Sequence, residues 1–110
     1  MTEPQRFAPR FRFSAFAEIT QETSGAAVAT RVKELSLYGC YLELDTPMPR
    51  GTPVIVKVFQ DDDFFEAKAS VIYVQPNLGT GLVFRDVKPH FLAILQKWLT
   101  LALRNSKAAD

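Results

Sequence analysis

Alternation of apolar and polar residues with a period of two is the feature that most constrains how this chain can fold. From Phe11 to Ile19, apolar residues fill the odd positions and polar residues fill most of the even ones. This alternation is typical of a strand with one buried face, because successive side chains point to opposite sides of a sheet. The pattern returns in shorter segments separated by turn-forming residues, and the predicted strands are 11–20, 26–35, 40–44, 54–58, 65–74 and 80–84. Six short strands joined by turns predict a mainly β fold, a small antiparallel barrel.

The end of the chain has a different period. Between Pro89 and Leu103 there is no glycine and no second proline, and proline is tolerated in a first helical turn. The apolar residues that recur at helical spacing are Phe91, Leu95, Trp98 and Ala102. The pattern predicts an amphipathic C-terminal helix that covers one end of the barrel. Ile94 and Leu101 lie off the main stripe, and two interpretations of them remain open, a homodimer contact or a wider buried face.

Length and composition favour one globular domain. The chain has 110 residues, of which 47% are apolar, and its net charge is +1. A charge so close to zero argues against a nucleic-acid coat, which needs a basic field to release counterions. We predict an N-terminal arm at 1–10, the barrel and helix at 11–104, and a polar tail at 105–110. The start is polar and no apolar run reaches the about 18 residues that a membrane helix needs, so we expect a cytoplasmic protein without membrane insertion.

Residues that carry catalysis or hold metals are sparse. His90 is the single histidine and has no evident nucleophile as a partner, while Cys40 alternates with leucines as a core residue would. Asp61–Asp63 lack the spaced ligands of a calcium loop and fit a solvated hairpin turn. We therefore expect a binding module and not an enzyme, with no catalytic residue, no metal site and no cofactor.

Two short segments suggest ligand binding. Arg6 and Arg10 lie four residues apart in an extended arm that contains Pro9, where both guanidinium groups can converge on one ligand. The second segment places Glu34, Ser36 and Gly39 between the second and third predicted strands. Here Ser36 and Gly39 fit a tight turn, and Gly39 can adopt a positive φ that other residues resist. Either segment alone is also what surface charge or an ordinary turn looks like.

Taken together and in this order, the two segments resemble the PilZ domain family. That family is marked by R-x-x-x-R followed by [D/N]-x-S-x-x-G, which correspond here to Arg6 and Arg10, then to Glu34, Ser36 and Gly39. The resemblance extends from about Gln5 to Leu103 and includes the Gly79–Phe84 segment ahead of the helix. It implies a six-stranded barrel with a C-terminal helix that binds the bacterial second messenger cyclic di-GMP.

The resemblance also implies a role for each motif residue. Arg6 and Arg10 would hold guanine edges and phosphates and stack on bases, Glu34 and Ser36 would contact a second guanine or its backbone, and Gly39 would shape the turn. This chain departs from the family at one position, because Glu34 stands where aspartate or asparagine is usual. Glutamate keeps an acceptor for the N1–H and N2–H₂ donors of guanine and adds one methylene.

Three hypotheses follow. The first is a stand-alone cyclic di-GMP receptor that signals to a protein partner. The second is a protein-interaction module of the same fold that does not bind nucleotide, because Glu34 replaces aspartate or asparagine. The third is an oligonucleotide-binding barrel with stacked bases on its phenylalanines, which the near-zero net charge disfavours.

Overall fold

The computed structural model describes residues 10–44 and 48–109, with side chains described as far as residue 105. These residues form six strands and one helix. Their bounds are β1 Phe11–Gln21, β2 Ala27–Leu35, β3 Gly39–Leu42, β4 Pro53–Gln60, β5 Asp63–Gln75, β6 Gly79–Asp86 and α1 Pro89–Ala109.

The six strands close into a barrel in the order β1-β2-β3-β6-β5-β4. Every neighbouring pair is antiparallel, and the pairing of β1 with β4 completes the ring. The predicted antiparallel barrel with a C-terminal helix is confirmed. The strand ends differ from the predicted ones by a few residues: β4 and β5, for example, extend to the two-residue turn Asp61–Asp62, where Asp61 has a positive φ of 55°.

The core lies inside the barrel and is built from the alternation that the sequence shows. In β1 the residues Ala15, Ala17 and Ile19 are buried, while the residues between them are exposed. The other strands contribute mainly aliphatic side chains to the same core, and its largest fully buried residues include Phe65, Leu35, Leu42, Leu82 and Ile19. Because one face of each strand is used for this packing, the opposite face is left for polar and exposed residues.

Two shifts in strand register lie side by side, one near the start of β1 and one near the end of β2. Between Arg12 and Ala15, β1 advances by three residues while β2 advances by two. Between Val32 and Glu34, β2 uses two steps against one step of β3. Extra residues of this kind bend a strand and redirect its side chains. Their consequence is that Arg12 pairs with Glu34 at the rim of the barrel.

Helix α1 packs against the barrel through its apolar stripe. Leu95 and Trp98 are buried, and the Trp98 ring stacks on Phe13 of β1 with centroids 5.5 Å apart. The helix continues to Ala109, beyond the predicted end at Leu103 and into the predicted tail, because no glycine or proline interrupts it. Ile94 is partly buried against the core, whereas Leu101 is 46% exposed.

No helix within the described ranges is long and apolar enough to cross a membrane.

Cys40 gives a direct test of the core. Burial raises the pKa of its thiol to about 12, from about 9. Only the thiolate reacts with aromatic disulfide reagents, so at pH 8 we expect Cys40 in the folded protein to react at least about 100-fold more slowly than in urea. The folded pKa is the higher one, so the thiol ionises first in the unfolded chain. The free energy of unfolding is therefore fully retained below pH 9 and falls as the pH rises toward 12. Equal labelling rates in the two states would contradict this packing.

Candidate ligand-binding site

The turn between β2 and β3 is organised by the Ser36 hydroxyl. Ser36 Oγ accepts hydrogen bonds from the backbone N–H groups of Tyr38 at 3.2 Å and Gly39 at 3.1 Å, and it donates to the Gly39 carbonyl at 3.2 Å. A hydroxyl has one donor and two acceptor positions, so all of its capacity is used within the turn. Ser36 is also buried. It therefore holds the turn that separates the two strands, and a ligand could bond to its hydroxyl only in place of one of these bonds.

Gly39 is required by the turn for a different reason from the one predicted. Among the described glycines, positive φ angles occur at Gly25 and Gly51, so Gly39 does not use the positive φ that a glycine allows. A Cβ atom built at Gly39 would instead overlap the backbone carbonyl of Leu82 in β6. The close approach of β3 to β6 excludes any side chain at this position.

Arg10 and Glu34 are brought together by the pairing of β1 with β2. The Arg10 Nη1 and Glu34 Oε1 atoms lie 3.8 Å apart, with side-chain exposures of 62% and 42%. Arg12 is the cross-strand neighbour of Glu34. One residue of each motif thus meets at the barrel surface, although the two are distant in sequence. Arg6, the other arginine of the predicted pair, lies outside the described residues.

A row of residues crosses the outer surface of the barrel from Glu34. In antiparallel sheets, residues directly opposite each other have their side chains on the same face. Glu34 of β2 is opposite Tyr41 of β3, Tyr41 is opposite Gly81 of β6, and Gly81 is opposite Tyr73 of β5. Together with Arg12 of β1, this row spans five strands.

The part of this surface between β1, β2 and β3 is an open groove of about 640 Å³. Its charged lining residues are Arg12, Arg31, Lys33, Glu34 and Glu43. With Arg10 beside it, the groove carries more basic than acidic groups, although the chain as a whole is almost neutral. A local basic excess around one carboxylate suits an anion that also carries hydrogen-bond donors.

Tyr41 and Tyr73 were not predicted as site residues. Their rings lie 6.0 Å apart, and the Tyr41 hydroxyl donates a 2.5 Å hydrogen bond to Gln75 Oε1. Desolvation by burial, with Tyr73 and Glu34 close by, raises the pKa of Tyr41. The alternation of Tyr41 with Cys40 and Leu42 indicates an outward side chain, but the sequence does not tell which residues lie beside it.

A second groove, of about 710 Å³, lies between the start of β1, the β4–β5 turn and α1. It shares Arg12, Phe13 and Ser14 with the first groove. Its charged residues include Asp63 and Lys97, which form a 2.8 Å ion pair. Within the described parts of the chain, no three histidine, cysteine, aspartate or glutamate residues group closely enough to hold a metal ion.

The model of the PilZ domain family matches residues 4–101. Among solved structures, the chain is similar to the PilZ domain of YcgR from Escherichia coli with c-di-GMP, at 19% identity and a TM-score of 0.73, over 97% of each chain. It is also similar to the PilZ domain of CeSA from a cellulose-synthesizing bacterium, at 15% identity and a TM-score of 0.69, over 89% of this chain and 98% of that one.

The inhibitor of motility MotI/DgrA from Bacillus subtilis matches at 14% identity and a TM-score of 0.75, over 96% of this chain and 53% of that one. At these identities the structural matches establish a common fold. No curated protein matches the chain by sequence.

The contact between Gly39 and Leu82 predicts that one added carbon at position 39 lowers the stability of the fold substantially. Gly39→Ala is expected to lower the free energy of unfolding by about 3 kcal/mol, because the Cβ meets backbone atoms that cannot rotate away. Ala29→Ser, which also adds one heavy atom at an exposed strand position, should change it by less than about 0.5 kcal/mol. Urea denaturation followed by circular dichroism measures both, and equal stabilities of the two variants would refute the contact.

Proposed function

Because the chain belongs to the PilZ domain family, we propose that it is a receptor for cyclic di-GMP that binds the dinucleotide on the outer surface of its barrel. The observation that carries the proposal is the 3.8 Å approach of Arg10 to Glu34 beside the Ser36–Gly39 turn. It joins the two family motifs at one place. The YcgR PilZ domain, which shares the fold, was solved with this ligand.

The chemistry of the groove fits the ligand. Cyclic di-GMP has two phosphates and two guanines, so it presents negative charge together with the O6 and N7 acceptors. An arginine fork can bind either of these in a bidentate manner, and Arg10 and Arg12 supply two forks. Glu34 supplies an acceptor for the guanine N1–H and N2–H₂ groups. In this proposal the Ser36–Gly39 turn acts by holding β2 and β3 in place.

The pair between Arg10 and Glu34 has to open before both side chains can engage a ligand. Both are substantially exposed, and exposed ion pairs contribute only about 0–1 kcal/mol. Hydrogen bonds to charged groups are worth about 1.5–3 kcal/mol each, so two or more ligand contacts outweigh the lost pair. This difference in magnitude supports binding in spite of the glutamate at position 34.

The alternative is a protein-interaction module that does not bind nucleotide. The same contact is the observation in its favour, because Glu34 is already paired with Arg10 and is longer than the usual aspartate. In either case we propose that the chain acts through a protein partner.

Removal of one arginine tests the first proposal. Arg10→Ala is expected to weaken binding of cyclic di-GMP by about 10- to 150-fold, the equivalent of one charged hydrogen-bonding group. Isothermal titration calorimetry gives the dissociation constants. Arg104→Ala is the matched control, because it removes the same charge from an exposed position near the end of α1. If the folded parent chain releases no heat at tens of micromolar, the receptor proposal is wrong.

Substitutions at Glu34 separate the two candidate functions. For a receptor, Glu34→Ala should weaken binding by about 10-fold or more, because guanine loses its acceptor, whereas Glu34→Asp should bind within a few-fold of the parent. For the alternative function, the parent should not bind and Glu34→Asp should gain binding. The same titrations decide between these outcomes.

A further inference from the structure

The aromatic pair at the far end of the cross-strand row has the form of a binding surface. Tyr41 and Tyr73 have ring centroids 6.0 Å apart and planes inclined by 29°. Both project from the outer face of the barrel, since both are linked to Gly81 by direct cross-strand pairing. Tyr73 is 37% exposed. Two nearly parallel rings on an open sheet surface offer an area comparable to a planar base.

Two glycines of β6 make this arrangement feasible. A Cβ atom at Gly79 would overlap the Tyr41 ring, and a Cβ atom at Gly81 would overlap the Tyr73 ring. Residues i and i+2 of a strand are separated by about 6.6 Å, which is close to the separation of the rings. The Tyr41 ring therefore packs over Gly79, and the Tyr73 ring packs over Gly81.

The pair of Tyr41 and Tyr73 forms a platform that is also held in place without a ligand. The Tyr41 hydroxyl is fixed by Gln75, whose backbone is paired with Gly79 in the same part of the sheet. Rigid aromatic side chains lose little conformational entropy on binding, so their contact energy is retained.

The position of the platform relative to Glu34 suggests what it binds. Glu34 is on β2, and the two tyrosines are on β3 and β5 with β6 between them. At about 4.8 Å per strand, the centre of the platform lies about 10 Å from the Glu34 backbone. Glu34 is directly opposite Tyr41 but lies three strands away from Tyr73, so a base that lies on Tyr73 is separated from Glu34, and a dinucleotide has two bases to distribute.

We propose that Tyr41 and Tyr73 form a stacking platform for one purine base of the ligand, while the other base is read at Glu34, and that this division selects a dinucleotide over a mononucleotide. The inference rests on the proposed function. Stacking of a base on an aromatic side chain is sequence-tolerant and worth about 1–3 kcal/mol. The platform thus adds affinity, while the arginines and Glu34 provide recognition of guanine.

The test replaces the exposed ring. Tyr73→Leu is expected to weaken binding of cyclic di-GMP by about 5- to 150-fold, which corresponds to the stacking of one base. Tyr73→Phe keeps the ring and should bind within about 2-fold of the parent. Phe59→Leu removes an exposed ring from β4, which does not carry the platform, and should also leave binding unchanged.

The proton spectrum of the bound ligand supplies a second readout. One of the two guanine H8 signals should shift upfield with the parent and Tyr73→Phe, because it lies over a ring, and this shift should disappear with Tyr73→Leu. Tyr73→Leu should leave the affinity for 5′-GMP unchanged. The preference for cyclic di-GMP over 5′-GMP should therefore fall in this variant by the same factor as the affinity for cyclic di-GMP. Equal affinities of the parent and Tyr73→Leu for cyclic di-GMP overturn the platform alone. Absence of binding by the parent overturns the receptor function and the platform together.

Discussion

The register in which the six strands close is the constraint on which the outer site depends. None of the described residues that form the site is brought there by neighbouring sequence alone. Four strands contribute one residue each to this face, namely Arg12, Glu34, Tyr41 and Tyr73. The first three pair directly with one another in turn, and Tyr41 is linked to Tyr73 through Gly81. A shift of one residue in any strand would turn its side chain into the core. The Ser36 hydroxyl and the contact between Gly39 and Leu82 fix β3 between β2 and β6, and so they hold this register at its tightest turn.

Electrostatics in the groove are set by local pairing and not by the net charge of the chain. Arg10 and Glu34 partly neutralise each other, and Arg31 lies 4.7 Å over the Phe16 ring while reaching Ser14 at 3.4 Å. These contacts involve exposed side chains and are individually weak. These weak contacts keep the charged groups close to the groove. An anion with several acceptors can therefore replace the contacts at little cost in free energy. A strongly basic surface would attract nucleic acid without discrimination, whereas this balance favours a small ligand with matched groups.

The sequence predicted the strands, the helix and the two motifs because each is a local pattern. Alternation from Phe11 to Ile19 identifies a half-buried strand wherever it is placed in the fold. It does not tell which strand lies beside it, and for that reason Tyr41 and Tyr73 were not recognised as neighbours. The reason for Gly39 was missed in the same way, because the carbonyl that excludes a side chain belongs to Leu82, which is far along the chain. Ser36 was expected to face a ligand, but the geometry of its turn takes up every hydrogen bond that its hydroxyl can form. The helix end was underestimated, because the residues after Leu103 carry no apolar period, although none of them is a glycine or proline that would end the helix.

The stacking of Phe13 on Trp98 has a consequence for how the protein can be observed. Phe13 follows Arg12 in β1, so one residue lines the groove and the next touches the helix from within. Trp98 is the only tryptophan in the chain and is 4% exposed. Its indole emission therefore depends on the packing of the Phe13 ring, whose neighbour in sequence, Arg12, lines the groove. A rearrangement of the first residues of β1 reaches this fluorophore through one side-chain contact, and the protein thus contains an intrinsic optical probe of the state of its own groove.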